Sequence, residues 1–283
     1  MTILYALAAL VVLIPCFVAA LSYTIFYYEL ANKPHPFFTA ACPRRAWACL
    51  LSGVCSCLGS LLLIILTYPL GWFAHRHLRA TPATGEPVVV CLHGIYHNPA
   101  AFLAIRPALM RAGFRHILVP GYGSLRGDFE AVTARLLAVL RREIPPQAPL
   151  ILVGHSLGGL FARRLMAEPD MAGRVRAAVT LGSPHHGSKL TALSIGRLGR
   201  SFMPSGPLPA LLARLPDPPG AALLALVSPV DNMVIPLSGL EIPRPAWRTE
   251  TTRPVSHETM LYHPAVIARA VAFVREHGLT PTP

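Results

Sequence analysis

The chain has 283 residues, 53% of them hydrophobic, and a mean hydropathy of +0.49, which is too apolar for an ordinary soluble domain and points to membrane segments. Its net charge of +12 would fit a nucleic-acid partner, but the cations are almost all Arg, scattered rather than blocked or interleaved with aromatics, so nucleic acid is set aside. Anionic lipid headgroups, at about 1 kcal/mol for each nearby Lys or Arg, or a plain solvated Arg-rich surface, account for the charge equally well.

Two runs carry no charged side chain, Met1 to Tyr28 and Ala46 to Ala74. Each exceeds the roughly 20 apolar residues that a helix needs to cross a bilayer, which predicts transmembrane helices over residues 3–28 and 47–73. Val18-Ala19-Ala20 offers a cleavage site, but no basic stretch precedes the first run, so an uncleaved helix is favoured over a signal peptide. The linker, with Asn32, Pro34, His35 and Pro36, reads as a turn that makes the pair a hairpin. Lys33, Arg44 and Arg45 against Glu29 on the linker balance Arg76 and Arg79 on the far flank, so charge chooses no orientation. Residues 1–80 are thus expected to form a membrane anchor, and residues 81–283 one catalytic domain. Cys16, Cys42, Cys49, Cys55 and Cys57 lie in or beside the apolar runs and Cys91 in a strand; they read as small apolar residues rather than a disulfide framework or a zinc site.

After Pro87 the pattern changes to short apolar runs alternating with amphipathic stretches. Strands are predicted at residues 88–92, 116–119, 150–153, 177–181 and 223–227, with helices at about 99–112, 129–143 and from Leu157 to about Glu168. Continuous apolar strands alternating with helices predict an α/β fold with a mostly parallel sheet covered by helices on both faces.

The strongest chemical signal is Gly154-His155-Ser156-Leu157-Gly158, which fits G-x-S-x-G and stands between an apolar strand and an amphipathic helix. A nucleophile at that place sits on a sharp turn that flanking glycines permit, with helix N–H groups directed at a developing oxyanion. His93-Gly94-Ile95 follows the first strand, and Thr180-Leu181-Gly182-Ser183-Pro184-His185-His186-Gly187-Ser188 follows the fourth. With the Ser156 pentapeptide and Gly159, these stretches resemble the bacterial triacylglycerol lipases and related esterases of the α/β-hydrolase family. The resemblance spans about Pro87 to His257 and does not reach the N-terminal runs.

That resemblance implies an α/β-hydrolase fold and the chain order Ser, Asp or Glu, then His. Glu168 and Asp170 come too early, and Asp217 lies in a Pro-rich loop; Asp231, directly after the fifth strand, is the expected acid. His257, in a loop before the last helix, is the expected base. His263 precedes Pro264 and reads as a helix start, with His277 at the extreme C-terminus. Ser156 would attack an ester carbonyl as His257 takes its proton. The oxyanion would be held by the N–H of Leu157 and, by resemblance, that of Ile95. His93, Gly94, Gly154, His155 and Gly158 support the motif loops, and His185 and His186 line or orient the site. This chemistry needs no metal and no cofactor.

Residues 188–220 are apolar, with Gly and Pro breaks, and read equally as a lid over an acyl pocket or as a cap helix. A lid, membrane helices and a basic surface together make lipid or another long-chain acyl ester the expected substrate, at a bacterial inner (plasma) membrane. Acyl transfer or thioester hydrolysis would use the same triad, and a catalytically idle membrane-interaction module is the alternative of a different class.

Overall fold

The computed structural model describes residues 1–73, 78 and 80–278, so Arg76 and Arg79 lie outside the described residues. Three helices come first: α1 (Thr2–Asn32), α2 (Pro36–Ala41) and α3 (Ala46–Thr67), the last running on as a 3-10 turn, Tyr68–Trp72. The linker expected as a turn thus contains a short helix. His35 caps it by accepting from the Phe37 N–H at 3.3 Å, and Pro36 occupies its first position, where the absent N–H costs nothing. Cys42 and Cys49 form a disulfide across the turn into α3, correcting the reading of all six cysteines as free apolar residues. Helix ends brought together by a turn are not visible in sequence spacing.

The remaining elements are β1 (Val88–Leu92), α4 (Ile105–Arg111), β2 (His116–Leu118), α5 (Phe129–Glu143), β3 (Leu150–His155), α6 (Leu157–Met166), α7 (Pro169–Ala172), β4 (Val175–Leu181), α8 (Arg197–Arg200), α9 (Pro207–Arg214), β5 (Ala222–Val227), β6 (Trp247–Thr251) and α10 (Pro264–Gly278). The strands form one six-stranded sheet in the order β2-β1-β3-β4-β5-β6, with every pairing parallel. Because both faces are covered, β1 and β3 are buried along their whole length, which is why they read as unbroken apolar runs. One core packs Val88, Val90, Leu150 and Leu152 against α5 and α6; the other packs Val89, Ile151, Val153 and Val179 against α4 and α10.

A third core joins the N-terminal helices to the α/β unit. Ala19, Tyr23 and Phe26 of α1, Phe38 of α2 and Cys57 of α3 pack with Val227 at the end of β5 and with Val230, Ile235, Leu237 and Leu240 beyond it. Hydrogen bonds fix the seat along α3: the Ser52 hydroxyl donates to the Pro254 carbonyl, the Ser256 N–H donates to Ser56 Oγ, and the Thr259 hydroxyl donates to the Ser56 carbonyl, at 2.9, 2.9 and 2.8 Å. At its other end Asn98 donates to the Tyr68 carbonyl at 2.8 Å. From Ser52 to Tyr68 is about 24 Å at 1.5 Å per residue, so α3 lies along the α/β unit rather than standing clear of it. The opposite faces of both helices are apolar and exposed, through Leu10, Leu13, Ile14 and Phe17, and through Trp47, Leu51 and Leu66. Both helices are long and apolar enough to cross a membrane, over Ala9–Asn32 and Ala46–Trp72.

Candidate active site

Strand β3 ends at His155, and Ser156 follows with φ 54° and ψ −125°, the left-handed side of the backbone map that a residue with a Cβ rarely adopts. Such strain persists only where the surroundings impose it. Here the Ser156 N–H is held by the Leu181 carbonyl at 2.9 Å, and α6 begins at the next residue. The tightness of the elbow explains its glycines: a Cβ on Gly158 would stand 1.9 Å from the Leu92 carbonyl oxygen, and one on Gly94 would stand 3.1 Å from Ser156 Cβ. The backbone of the His93–Ile95 loop therefore passes directly against the serine. Tyr96, the next residue, also has a positive φ of 57°, and its N–H is held by Ser124 Oγ at 2.8 Å.

The other two expected residues are brought to the same place. Asp231 follows β5 in a fully buried turn, where Oδ1 accepts the N–H groups of Met233 and Val234 at 3.0 and 2.9 Å. Its Oδ2 lies 2.8 Å from His257 Nδ1. A carboxylate at Nδ1 fixes the proton there and leaves Nε2 as the acceptor. The His257 N–H donates to Asn232 Oδ1 at 3.2 Å, so the residue after Asp231 holds the backbone of His257. Burial alone would lower the His257 pKa, but the charge and hydrogen bond of Asp231, with Glu258 adding, outweigh it and leave the imidazole above its ordinary value.

His263 is placed elsewhere: its Nδ1 accepts from the Ala265 N–H at 3.3 Å, at the start of α10. Asp217 pairs with Arg244 and Trp247 at 2.6 and 2.9 Å, and Asp170 with Arg141 at 2.9 Å. The motif histidines have structural partners. His93 stacks on Tyr122 with ring centroids 3.9 Å apart, and Nδ1 is 2.9 Å from the Gly94 carbonyl. His155 contacts the His257 carbonyl through Nε2 at 3.1 Å, and burial holds its pKa well below the ordinary value. His185 is also kept neutral by burial, with Thr180 Oγ1 3.3 Å from its Nε2.

Ser156 and His257 open into a cavity of about 280 Å³. Gly94, Ile95 and Tyr96 form one side of it; Leu190, Thr191, Ser194 and Phe202 come from the 188–220 region. In that region α9 packs Leu208 and Leu212 into the main core, with Arg163 Nη2 donating to the Leu212 carbonyl at 2.7 Å. The cap and the cavity wall are thus two parts of one segment. Sequence reading missed several lining groups: Glu258, His97, and Val18, Leu61 and Ile64 from the N-terminal helices. Glu258 is adjacent to His257 in sequence, which was the available signal; burial raises its pKa, partly offset by His257. For the helix residues no signal existed, since one apolar position in a membrane-like run looks like another. Among the described residues no group of three or more His, Cys, Asp or Glu is placed to hold a metal ion.

A parallel sheet, a strained serine between strand and helix, and acid and histidine on later strand-end loops define the α/β-hydrolase class. The chain belongs to the alpha/beta hydrolase family, whose model matches residues 89–279. No curated protein matches it. Among solved structures it is similar to one of the metagenome-derived lipolytic enzymes LipS and LipT, at 15% identity and a TM-score of 0.54, covering 71% of this chain and 98% of that one. It is also similar to the mature Bacillus licheniformis lipase BlEst2 (14% identity, TM-score 0.52, 69% and 95% covered). A third is Aspergillus fumigatus lipase B, at 15% identity and a TM-score of 0.55, with 69% and 54% covered. At these identities the likeness is one of fold.

Proposed function

We propose that the protein is a membrane-anchored serine hydrolase that cleaves carboxylic esters of lipids or other long-chain acyl groups. The observation that carries this reading is Ser156 at φ 54° in the same cavity as a His257 paired at 2.8 Å with buried Asp231. His257 Nε2 takes the Ser156 proton as Oγ attacks the ester carbonyl, and the resulting imidazolium is stabilised by Asp231. The N–H groups of Leu157 and Ile95 hold the oxyanion; losing one such donor typically costs about 2.7–4 kcal/mol of transition-state stabilisation. His257 then gives its proton to the leaving alcohol, and water, deprotonated by the same imidazole, releases the acyl group from Ser156. The membrane part of the reading is supported by α1 and α3, whose outward faces expose several large apolar side chains, Leu13, Phe17, Trp47 and Leu66 among them.

The test uses the full chain in detergent micelles with p-nitrophenyl esters from acetyl to palmitoyl, beside Ser156→Ala. Wild type is expected to turn over esters and to be labelled by a fluorophosphonate, and Ser156→Ala to lose both. Turnover that survives the substitution would sink the serine mechanism.

A further inference from the structure

The cavity that holds Ser156 is not closed by the catalytic unit alone. Its wall includes Val18 of α1 and Leu61 and Ile64 of α3, facing Ile95, Leu190, Phe202 and Val234. We infer that the two N-terminal helices are part of the substrate site: the acyl chain of the ester lies against Val18, Leu61 and Ile64, and these residues set the acyl length accepted. The inference rests on the ester-hydrolase reading above and names what that reading leaves open, the surface that recognises the chain.

Three observations support it. First, the helices are held on the catalytic unit by hydrogen bonds as well as by the shared apolar core. Ser22 Oγ accepts from Asn232 Nδ2 at 2.8 Å, Ser60 Oγ lies 3.4 Å from Ser256 Oγ, and Ser56 accepts from the Ser256 N–H at 2.9 Å. These bonds fix both helices on the catalytic unit, and α1 and α3 are packed closely on each other as well, since a Cβ on Gly53 of α3 would stand 2.5 Å from the Tyr23 hydroxyl of α1. Second, the wall changes character over the cavity. The serines give way to Leu61 and Ile64, which with Val18, Ile95, Leu190, Phe202 and Val234 make an apolar part of the wall suited to hydrocarbon, while Thr191, Ser194 and Glu258 line the same cavity as polar groups. Third, the other side of the same helices is exposed and apolar, through Phe17 and Leu66 among others, while Leu193 and Ile195 beside the cavity are exposed as well. A chain leaving the cavity along the helices therefore stays on apolar surface, and the occupant that fits is a lipid acyl chain drawn from a bilayer.

The experiment compares wild type with Leu61→Trp, Ile64→Trp and, on the outward face, Leu66→Trp, all as full chains in micelles. The readout is the ratio of kcat/KM for decanoyl to acetyl p-nitrophenyl ester. The two cavity-facing variants are expected to lower that ratio at least tenfold, and Leu66→Trp to leave it at the wild-type value. An unchanged ratio in both cavity-facing variants, or an equal fall in Leu66→Trp, would overturn the inference. A measurement on the wild type guards against misfolded variants: an alkyl fluorophosphonate with a terminal diazirine is attached to Ser156 and photolysed. Crosslinks to peptides containing Val18 or Leu61–Ile64 are expected; crosslinks confined to residues 188–215 would refute the helix wall. Failure of a short fluorophosphonate to label Ser156 is a different result, which would remove the hydrolase reading itself.

Discussion

As the proposed base, His257 would work only when its imidazole is neutral, so its environment would set the acid limit of activity. Its pKa stands above the ordinary value of about 6.5 because Asp231 outweighs burial. The acid limb of kcat/KM is accordingly expected above pH 6.5. Asp231→Asn removes the carboxylate and leaves burial, so the limb should move to lower pH while the rate falls on the order of 10³–10⁴-fold as the tautomer is lost. A pH–rate profile of both forms checks this, and a limb that stays in place would separate His257 from Asp231. The same shift has a stability sign. A folded pKa raised above the unfolded one gives stabilisation that is complete below about pH 6.5 and lost as pH rises through the folded value. The pair therefore stabilises the fold least where His257 is ready to act as a base.

At the scale of elements, α6 depends on how closely its first turn approaches β1. A Cβ on Gly158 would stand 1.9 Å from the Leu92 carbonyl, which is backbone and cannot rotate away. Gly158→Ala is expected to displace the elbow and cost about 1–3 kcal/mol or more, visible as a lowered Tm together with lost fluorophosphonate labelling. An unaltered Tm would mean that α6 can shift without penalty. The elements nearest the site were the most legible from sequence, for a physical reason. Strands buried on both faces must be apolar at every position, so β1, β3, β4 and β5 announced themselves. By contrast β6 (Trp247–Thr251) was missed because it is an edge strand, where Arg248 and Glu250 face solvent or Arg269 and break the apolar run. The single helix expected over residues 99–112 divides into a 3-10 turn, Pro99–Phe102, and α4, since Asn98 caps the turn by accepting from Ala100 at 2.9 Å. Asp231 and His257 could be placed by chain order, whereas the docking role of Ser52, Ser56 and Ser60 could not. A serine in an apolar run looks the same whether it meets lipid, its own helix or a second domain.

For the whole molecule, the shared core means that the N-terminal helices cannot be removed without exposing their seat. A fragment comprising residues 81–283 would bare Val230, Val234, Ile235, Leu237 and Leu240, and would strip the loop carrying His257 of its bonds to Ser56. It is expected to aggregate or bind a hydrophobic dye, with esterase activity reduced at least tenfold relative to the full chain. A soluble, fully active fragment would show that the seat contributes nothing to the site.

On the proposed membrane-anchored reading, α3 along the face where Ser156 opens, with its other side apolar, would make the protein a surface catalyst whose search for substrate is two-dimensional. Its encounter rate then depends on how crowded the ester is within its own leaflet rather than on how much is present per litre. In mixed micelles, adding inert detergent at constant total ester should slow turnover in proportion to the falling mole fraction of ester. Adding more micelles of the same composition should leave the rate per enzyme unchanged once the protein is bound. Rates that follow bulk concentration alone would mean that substrate arrives from water, and that the exposed faces of the helices play no part in its delivery.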